Sequence, residues 1–142
     1  MTISEERTRP APNRCAAAVV VSDDRVLLVH RHPRRRWYPD VWDLPGSHLR
    51  TDESAADALV RELAEELGIN IEAPVRTAPQ RIFLPDATLE VWVVRRWQGT
   101  PANCAPEEHD TLGWFRLDEI PKLTLAYPTV EDLCALALRY PG

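Results

Sequence analysis

The sequence predicts an α/β domain in which a mixed β-sheet is sandwiched between helices, an α/β/α arrangement. Three observations carry this expectation. Short strand-like segments recur at residues 15–21, 25–30, 75–84 and 88–97. Two amphipathic helical segments, 55–67 and 129–140, stand far apart in the chain. Strand and helix patterns alternate instead of forming separate blocks, which places helices on both faces of one sheet.

Taken in order, "CAAAVVV" (15–21) and "RVLLVH" (25–30) are apolar runs separated by "SDD", the pattern of two strands joined by a tight turn. "RHPRRRWYPD" (31–40) is a basic loop with two aromatics and two prolines. "VWDLPG" (41–46) reads as a short strand ending in a Pro-Gly turn. The helix at 55–67 is the clearest element. Ser54 is a good N-cap with Asp57 three positions on, and Gly68 lies where a left-handed cap would end it. Ala56, Leu59, Val60, Leu63 and Leu67 recur at spacings of three and four, giving one apolar stripe. "VRTAPQRIFL" (75–84) and "TLEVWVVRRW" (88–97) read as paired strands, and "TLGWFRL" (111–117) as another. "TVEDLCALALRY" (129–140) is a closing helix after Pro128. Residues 1–13 are expected to form a flexible tail, and 14–142 a single domain.

Composition narrows the function. A net charge of -5 argues against broad nucleic-acid binding, which needs a basic surface, but leaves room for a small phosphorylated ligand. No apolar run is long enough to span a bilayer, and the polar N-terminal stretch does not read as a secretory signal. Cys15, Cys104 and Cys134 show no CxxC spacing, so free thiols in the cytoplasm are expected, without a zinc site or a disulfide framework. His30, His32 and His109 likewise show no metal-ligand spacing with a second histidine or cysteine.

The segment "VRELAEELGIN" (60–70) concentrates negative charge. At helical spacing Glu62, Glu65 and Glu66 project together, and like charges so placed repel by roughly 0.2–0.5 kcal/mol per pair. Arg61 offsets only part of this. A divalent cation would resolve the repulsion, since magnesium prefers oxygen ligands and substrate phosphates. A solvated charged face is the competing reading of the three residues taken alone.

The surroundings favour the first. "LPGSHLRTDESAADALVRELAEELGI" (44–69) resembles the Nudix box, the signature of the MutT-like Nudix hydrolases. The family pattern is Gly, five residues, Glu, seven residues, then Arg-Glu-aliphatic-any-Glu-Glu-any-Gly-aliphatic. Glu53, Arg61, Glu62, Leu63, Glu65, Glu66, Gly68 and Ile69 all fall in register. The exception is Ser47, which stands at the box glycine, with Gly46 just before it. Serine there is expected to strain the loop or shift a backbone carbonyl, weakening metal binding and turnover. The resemblance covers roughly residues 14–140, including "PEEHDTLGWFRLDEIP" (106–121).

The resemblance implies a Nudix fold and a magnesium-dependent, or manganese-dependent, hydrolase of nucleoside diphosphate-X compounds. A (d)NTP or an oxidised nucleotide such as 8-oxo-dGTP would be the substrate. It implies Glu62, Glu65 and Glu66 as metal ligands, with Glu53, Arg61, Glu65 and Glu66 in the catalytic machinery. Arg61 would hold Glu53 and Glu65 in place by charge-assisted hydrogen bonds. The general base stays open among Glu53, Glu65, Glu66 and Glu108. Glu107 and Glu108 are the candidates for a further acid upstream of Trp114-Phe115. Substrate contacts are expected from Arg31, Arg36, Trp37, His48 and Glu108, by phosphate binding and base stacking. The alternative is a non-catalytic nucleotide-binding domain whose turnover Ser47 impairs. Partners are expected to be small nucleotides, with no nucleic acid or membrane, in a monomer or homodimer.

Overall fold

A computed structural model describes residues 13–75 and 80–139. Residues 1–12 of the expected tail, 76–79 of the strand expected at 75–84 and the last residue of the closing helix lie outside the described residues, and Asn13, expected in the tail, already opens the first strand. The elements are β1 (Asn13–Ser22), β2 (Arg25–Arg31), β3 (Trp42–Asp43), β4 (Gly46–His48), α1 (Ala55–Leu67), β5 (Gln80–Leu84), β6 (Ala87–Val94), β7 (His109–Arg116), a 3₁₀ turn (Ile120–Lys122) and α2 (Thr129–Arg139). None of the described helices is long and apolar enough to cross a membrane.

The seven strands form one mixed sheet. β1 and β6 pair in parallel from Asn13↔Ala87 to Val20↔Val94. The remaining pairs are antiparallel. β1 and β2 meet only near their shared turn, from Val20↔Leu27 to Ser22↔Arg25, with Asp23 at φ 54. Beyond it the two strands splay. The gap is filled by 42–48: β3 pairs with β2 at Val29 and His30, and β4 pairs with β1 at Cys15, Ala16 and Ala17. The sheet is therefore split at its centre, and the box enters through the split.

Side-chain alternation divides the core in two. Ala16, Ala18 and Val20 of β1, Leu27 and Val29 of β2, and Trp92 and Val94 of β6 pack against α1. Ala17, Val19 and Val21, Val26 and Leu28, and Leu89 and Val91 pack against α2 through Val130, Leu133 and Cys134. This is the expected sandwich. Leu59, Leu63 and Leu67 are fully buried, and each contributes about 1.5–3 kcal/mol by leaving water. Both α1 caps are as expected: Ser54 Oγ accepts from Asp57 N at 3.1 Å, and Gly68 adopts φ 69. Glu90, buried on β6, is structural, accepting from Arg14 at 2.9 Å and Arg81 at 3.4 Å. The three thiols are free.

Two expectations need correction. β4 was not foreseen, because a three-residue strand containing glycine carries no periodicity to read. The stripe of α1 is also rotated. Its buried residues are Ala55, Ala58, Leu59, Glu62, Leu63, Glu66 and Leu67, whereas Ala56 and Val60 are only half-buried. The inward face includes two glutamates, which a hydrophobicity pattern places outside.

Candidate active site

The site is built where α1 crosses the split in the sheet. Gly46 enters β4 with φ 153, and a Cβ there would lie 2.2 Å from the Ala16 carbonyl oxygen and 2.6 Å from Ala17 Cα. Only glycine fits this approach to β1. Ser47, by contrast, lies outside the positive-φ region and pairs with Ala16 as an ordinary strand residue. The expected strain at Ser47 is absent; the position that demands glycine is one residue earlier.

The close approach brings Gly46 N to 3.2 Å from Glu66 Oε2, to which it donates. Glu66 is 2% exposed and Glu62 is 5% exposed. Burial first, and then the charge of Glu62, raise the Glu66 carboxyl well above the usual range. Glu65 does not join them. Its side chain is 49% exposed and paired with Arg50 at 3.2 Å and Arg61 at 3.3 Å. The three glutamates therefore do not act as one face: i and i+4 point inward, and the residue between them lies on the rim.

Arg61 orders this group. Its Nε and Nη2 donate to Glu53 at 2.8 Å each, its Nη1 to Glu65 at 3.3 Å and also to Glu62, and its Nη2 to the His48 carbonyl at 3.2 Å. The Glu53 carboxylate, which also accepts from Arg50 N at 2.9 Å, is held down at about 2, chiefly by the Arg61 hydrogen bonds. The expected bonds to Glu53 and Glu65 are both present; those to Glu62 and His48 were not foreseen. A lysine cannot reproduce the fork. Arg61→Lys is expected to lower stability, read as a lower urea midpoint at an unchanged m-value. A midpoint like the parent's would show that the fork does not brace the loop.

A second element reaches the same place. Cys104 N donates to the Glu66 carbonyl at 2.8 Å and Ala102 N to that of Leu67 at 3.0 Å, tying the segment before β7 to the end of α1. The Ala105 carbonyl accepts from Glu108 N at 2.9 Å and His109 N at 3.0 Å, and Asn103 Nδ2 donates to the His109 carbonyl at 2.7 Å. The result is a cluster of Glu66, Glu108 and His109 whose ligand atoms all lie within 4.8 Å of one another. Burial raises the Glu108 carboxyl and pushes the His109 imidazole down to about 4. Of the two acids upstream of Trp114, Glu108 is thus the one brought to the glutamates. Inward carboxylates of like charge beside a neutral imidazole form a donor set that suits a divalent cation. His109 went unrecognised in the sequence because its partner Glu66 comes from a distant helix, which local spacing cannot reveal.

The basic loop is only partly available to a ligand. Arg31 Nε donates to the Tyr38 carbonyl at 2.8 Å and Nη2 to that of Trp37 at 2.7 Å, while Nη1 faces Asp43 at 3.8 Å. The guanidinium expected to bind phosphate is committed to holding its own loop. Arg36 lies 5.3 Å from the ring centre of Trp37, which is 62% exposed, so this pair remains open to a substrate. Arg35, another arginine of the basic loop, is the first charge to act on both Glu108 and His109 after burial. His48 contributes its carbonyl to Arg61, and its exposed ring pairs in no described contact with the acids. His30 Nδ1 sits 2.6 Å from Asp110 and its Nε2 3.3 Å from Asp40, which anchors the loop's far end. A separate cleft lined by Asn70, Gln80, Trp92, Trp97 and Leu136 includes none of the box acids.

Asp43 carries a pH dependence of its own. Its side chain is 15% exposed, accepts from Leu44 N at 2.7 Å and from the Tyr127 hydroxyl, and is raised by burial to about 6. The folded chain therefore holds a proton that the unfolded chain releases at its ordinary value of 3.8. The associated stability is complete below about pH 4 and is lost as pH rises through about 6. Asp43→Asn is expected to gain on the parent across that window, by at most about 3 kcal/mol. A difference in melting temperature that stays flat from pH 4 to 7 would contradict this.

Comparison with known proteins agrees with this geometry. The profile of the NUDIX domain matches residues 12–133. A CTP pyrophosphohydrolase of Escherichia coli is 32% identical over 135 residues, spanning 89% of this chain and 94% of the relative. An 8-oxo-dGTP diphosphatase of the same organism is 26% identical over 110 residues, spanning 75% and 85%. The crystal structure of a MutT NUDIX hydrolase from Burkholderia pseudomallei superposes with a TM-score of 0.76 at 29% identity, covering 88% of this chain and 97% of that one. With the box acids gathered at the split sheet, and with relatives matched over nearly their whole length, this chain belongs to the Nudix hydrolases and is a pyrophosphohydrolase of the MutT-like kind.

Proposed function

We propose that this enzyme hydrolyses, with Mg²⁺ or Mn²⁺, the pyrophosphate linkage of a nucleoside diphosphate-X compound and releases a nucleoside monophosphate. The substrate is a (d)NTP or an oxidised nucleotide such as 8-oxo-dGTP, a choice supported by relatives named for CTP and 8-oxo-dGTP. The observation that carries the reading is the buried pair Glu62 and Glu66, with Glu66 gathered to Glu108 and His109. A bound cation supplies charge neutralisation for the pyrophosphate oxygens and lowers the pKa of a coordinated water. Glu62, Glu66 and Glu108 would hold it. In the reaction a water oxygen bonds to phosphorus, the bridging P–O bond breaks, the leaving phosphate or pyrophosphate takes the electron pair, and a carboxylate takes the water's proton. Glu53, held near pKa 2 by Arg61, is the poorest acceptor and serves as the brace of the loop. Trp37, with Arg36 over its other face, offers a stacking surface to a base.

The reading of a non-catalytic binding domain rested on Ser47, and Ser47 sits in ordinary strand geometry. The test is product chromatography with a panel of (d)NTPs, 8-oxo-dGTP, ADP-ribose, NADH, dinucleoside polyphosphates and nucleotide sugars, with and without magnesium. A nucleoside monophosphate formed only with metal, and lost in Glu66→Gln, upholds the proposal. A nucleotide that raises the melting temperature but is never cleaved would overturn it.

A further inference from the structure

His109 is 2% exposed, and its Nδ1 has no hydrogen-bond partner. Its Nε2 faces Glu66 Oε1 at 4.0 Å. That separation is too long for a hydrogen bond and leaves space between the two atoms for an ion that both would hold. The ring is positioned by its backbone. Asn103 Nδ2 holds the His109 carbonyl at 2.7 Å while Asn103 Oδ1 accepts from Ala105 N at 3.2 Å, and the adjoining chain is tied to the carbonyl of Glu66 itself. The ring thus presents Nε2 to the carboxylate cluster without a hydrogen bond to Glu66, the placement of a third donor beside Glu66 and Glu108.

We propose that His109 is a nitrogen ligand of the site's cation, completing Glu66 and Glu108, so that this enzyme favours transition-metal ions over Mg²⁺ more than an all-oxygen site would. The inference rests on the metal-site reading above and adds the identity of one donor. Imidazole adds more to a later transition-metal ion such as Co²⁺ than to hard, oxygen-seeking Mg²⁺.

Two measurements on the full chain test it. Pulsed electron paramagnetic resonance of the Mn²⁺-loaded parent protein should show a directly coordinated ¹⁴N, which Glu66→Gln should weaken and His109→Gln should remove. Calorimetric titration should show His109→Gln binding Co²⁺ at least ~10-fold more weakly, with Mg²⁺ affinity changed less than about 3-fold. Mn²⁺ bound at the glutamates with no nitrogen coupling overturns the inference and leaves the metal site standing. Equal losses for Co²⁺ and Mg²⁺ overturn it too, assigning His109 to packing. Failure of the parent to bind either ion overturns both the inference and the reading beneath it. The pulsed measurement needs no variant, so it decides the matter even if His109→Gln does not fold.

Discussion

Glu66→Gln is expected to reduce turnover by roughly 10³-fold or more while making the metal-free fold more stable than the parent. The two effects have one cause. Glu66 is 2% exposed beside Glu62, and burial and that charge raise its carboxyl well above the ordinary value of 4.5. A carboxyl whose folded pKa is raised contributes stability that is present below its unfolded pKa and is lost as pH rises through the folded one. As pH rises above 4.5 the parent therefore loses stability unless a cation offsets the carboxylate charge. Glutamine keeps an acceptor for Gly46 N and removes the charge. In chelator the variant should melt above the parent, with a gap that widens above about pH 5. With saturating Mg²⁺ the order should reverse, because only the parent gains the free energy of binding. Differential scanning fluorimetry in both conditions, paired with product chromatography, reads the whole expectation. A variant that melts below the parent in chelator would mean that the buried carboxylate is favourable as it stands, and the electrostatic account of the site would fail.

Gly46→Ala is expected to prevent folding or to cost more than about 4 kcal/mol, the scale reached only when a substitution collides with fixed structure. The new Cβ would sit 2.2 Å from the Ala16 carbonyl oxygen and 2.8 Å from Ala17 Cβ, and the φ of 153 adds backbone strain. β1 cannot give way, because it is bonded to β6 along its other edge from Asn13 to Val20. The same clash would pull Gly46 N from Glu66. Ser47→Gly, one residue on and at the family's own glycine position, should change stability by less than about 1 kcal/mol and leave turnover near that of the parent. Urea unfolding of the two variants beside the parent makes the contrast. Near-parental stability in Gly46→Ala would mean that 46–48 does not lie against β1, and a large gain of turnover in Ser47→Gly would mean that serine does limit the site.

Much of the molecule was legible in its sequence because much of it is local. The turn at Asp23, the Ser54 and Gly68 caps, the leucines of α1 and the apolar alternation of β1 and β2 each depend on residues within a few positions. Local propensity and period fix such features, and the box itself is a local pattern, so Glu53, Arg61, Glu62, Glu65 and Glu66 can be read from it together as candidates. What the sequence did not determine is how these residues divide their work. The glutamates share a helix, but only the tertiary structure decides that Glu62 and Glu66 face the split sheet while Glu65 stays on the rim, since a helix carries no information about which side its neighbours occupy. Arg31 looked free in a basic run, and a fold-back of its loop occupies its donors. His109 looked isolated, and the pairing of β7 with β2 carries it to Glu66. Each of these outcomes depends on contacts between segments remote along the chain, and such contacts are set by packing the whole sheet.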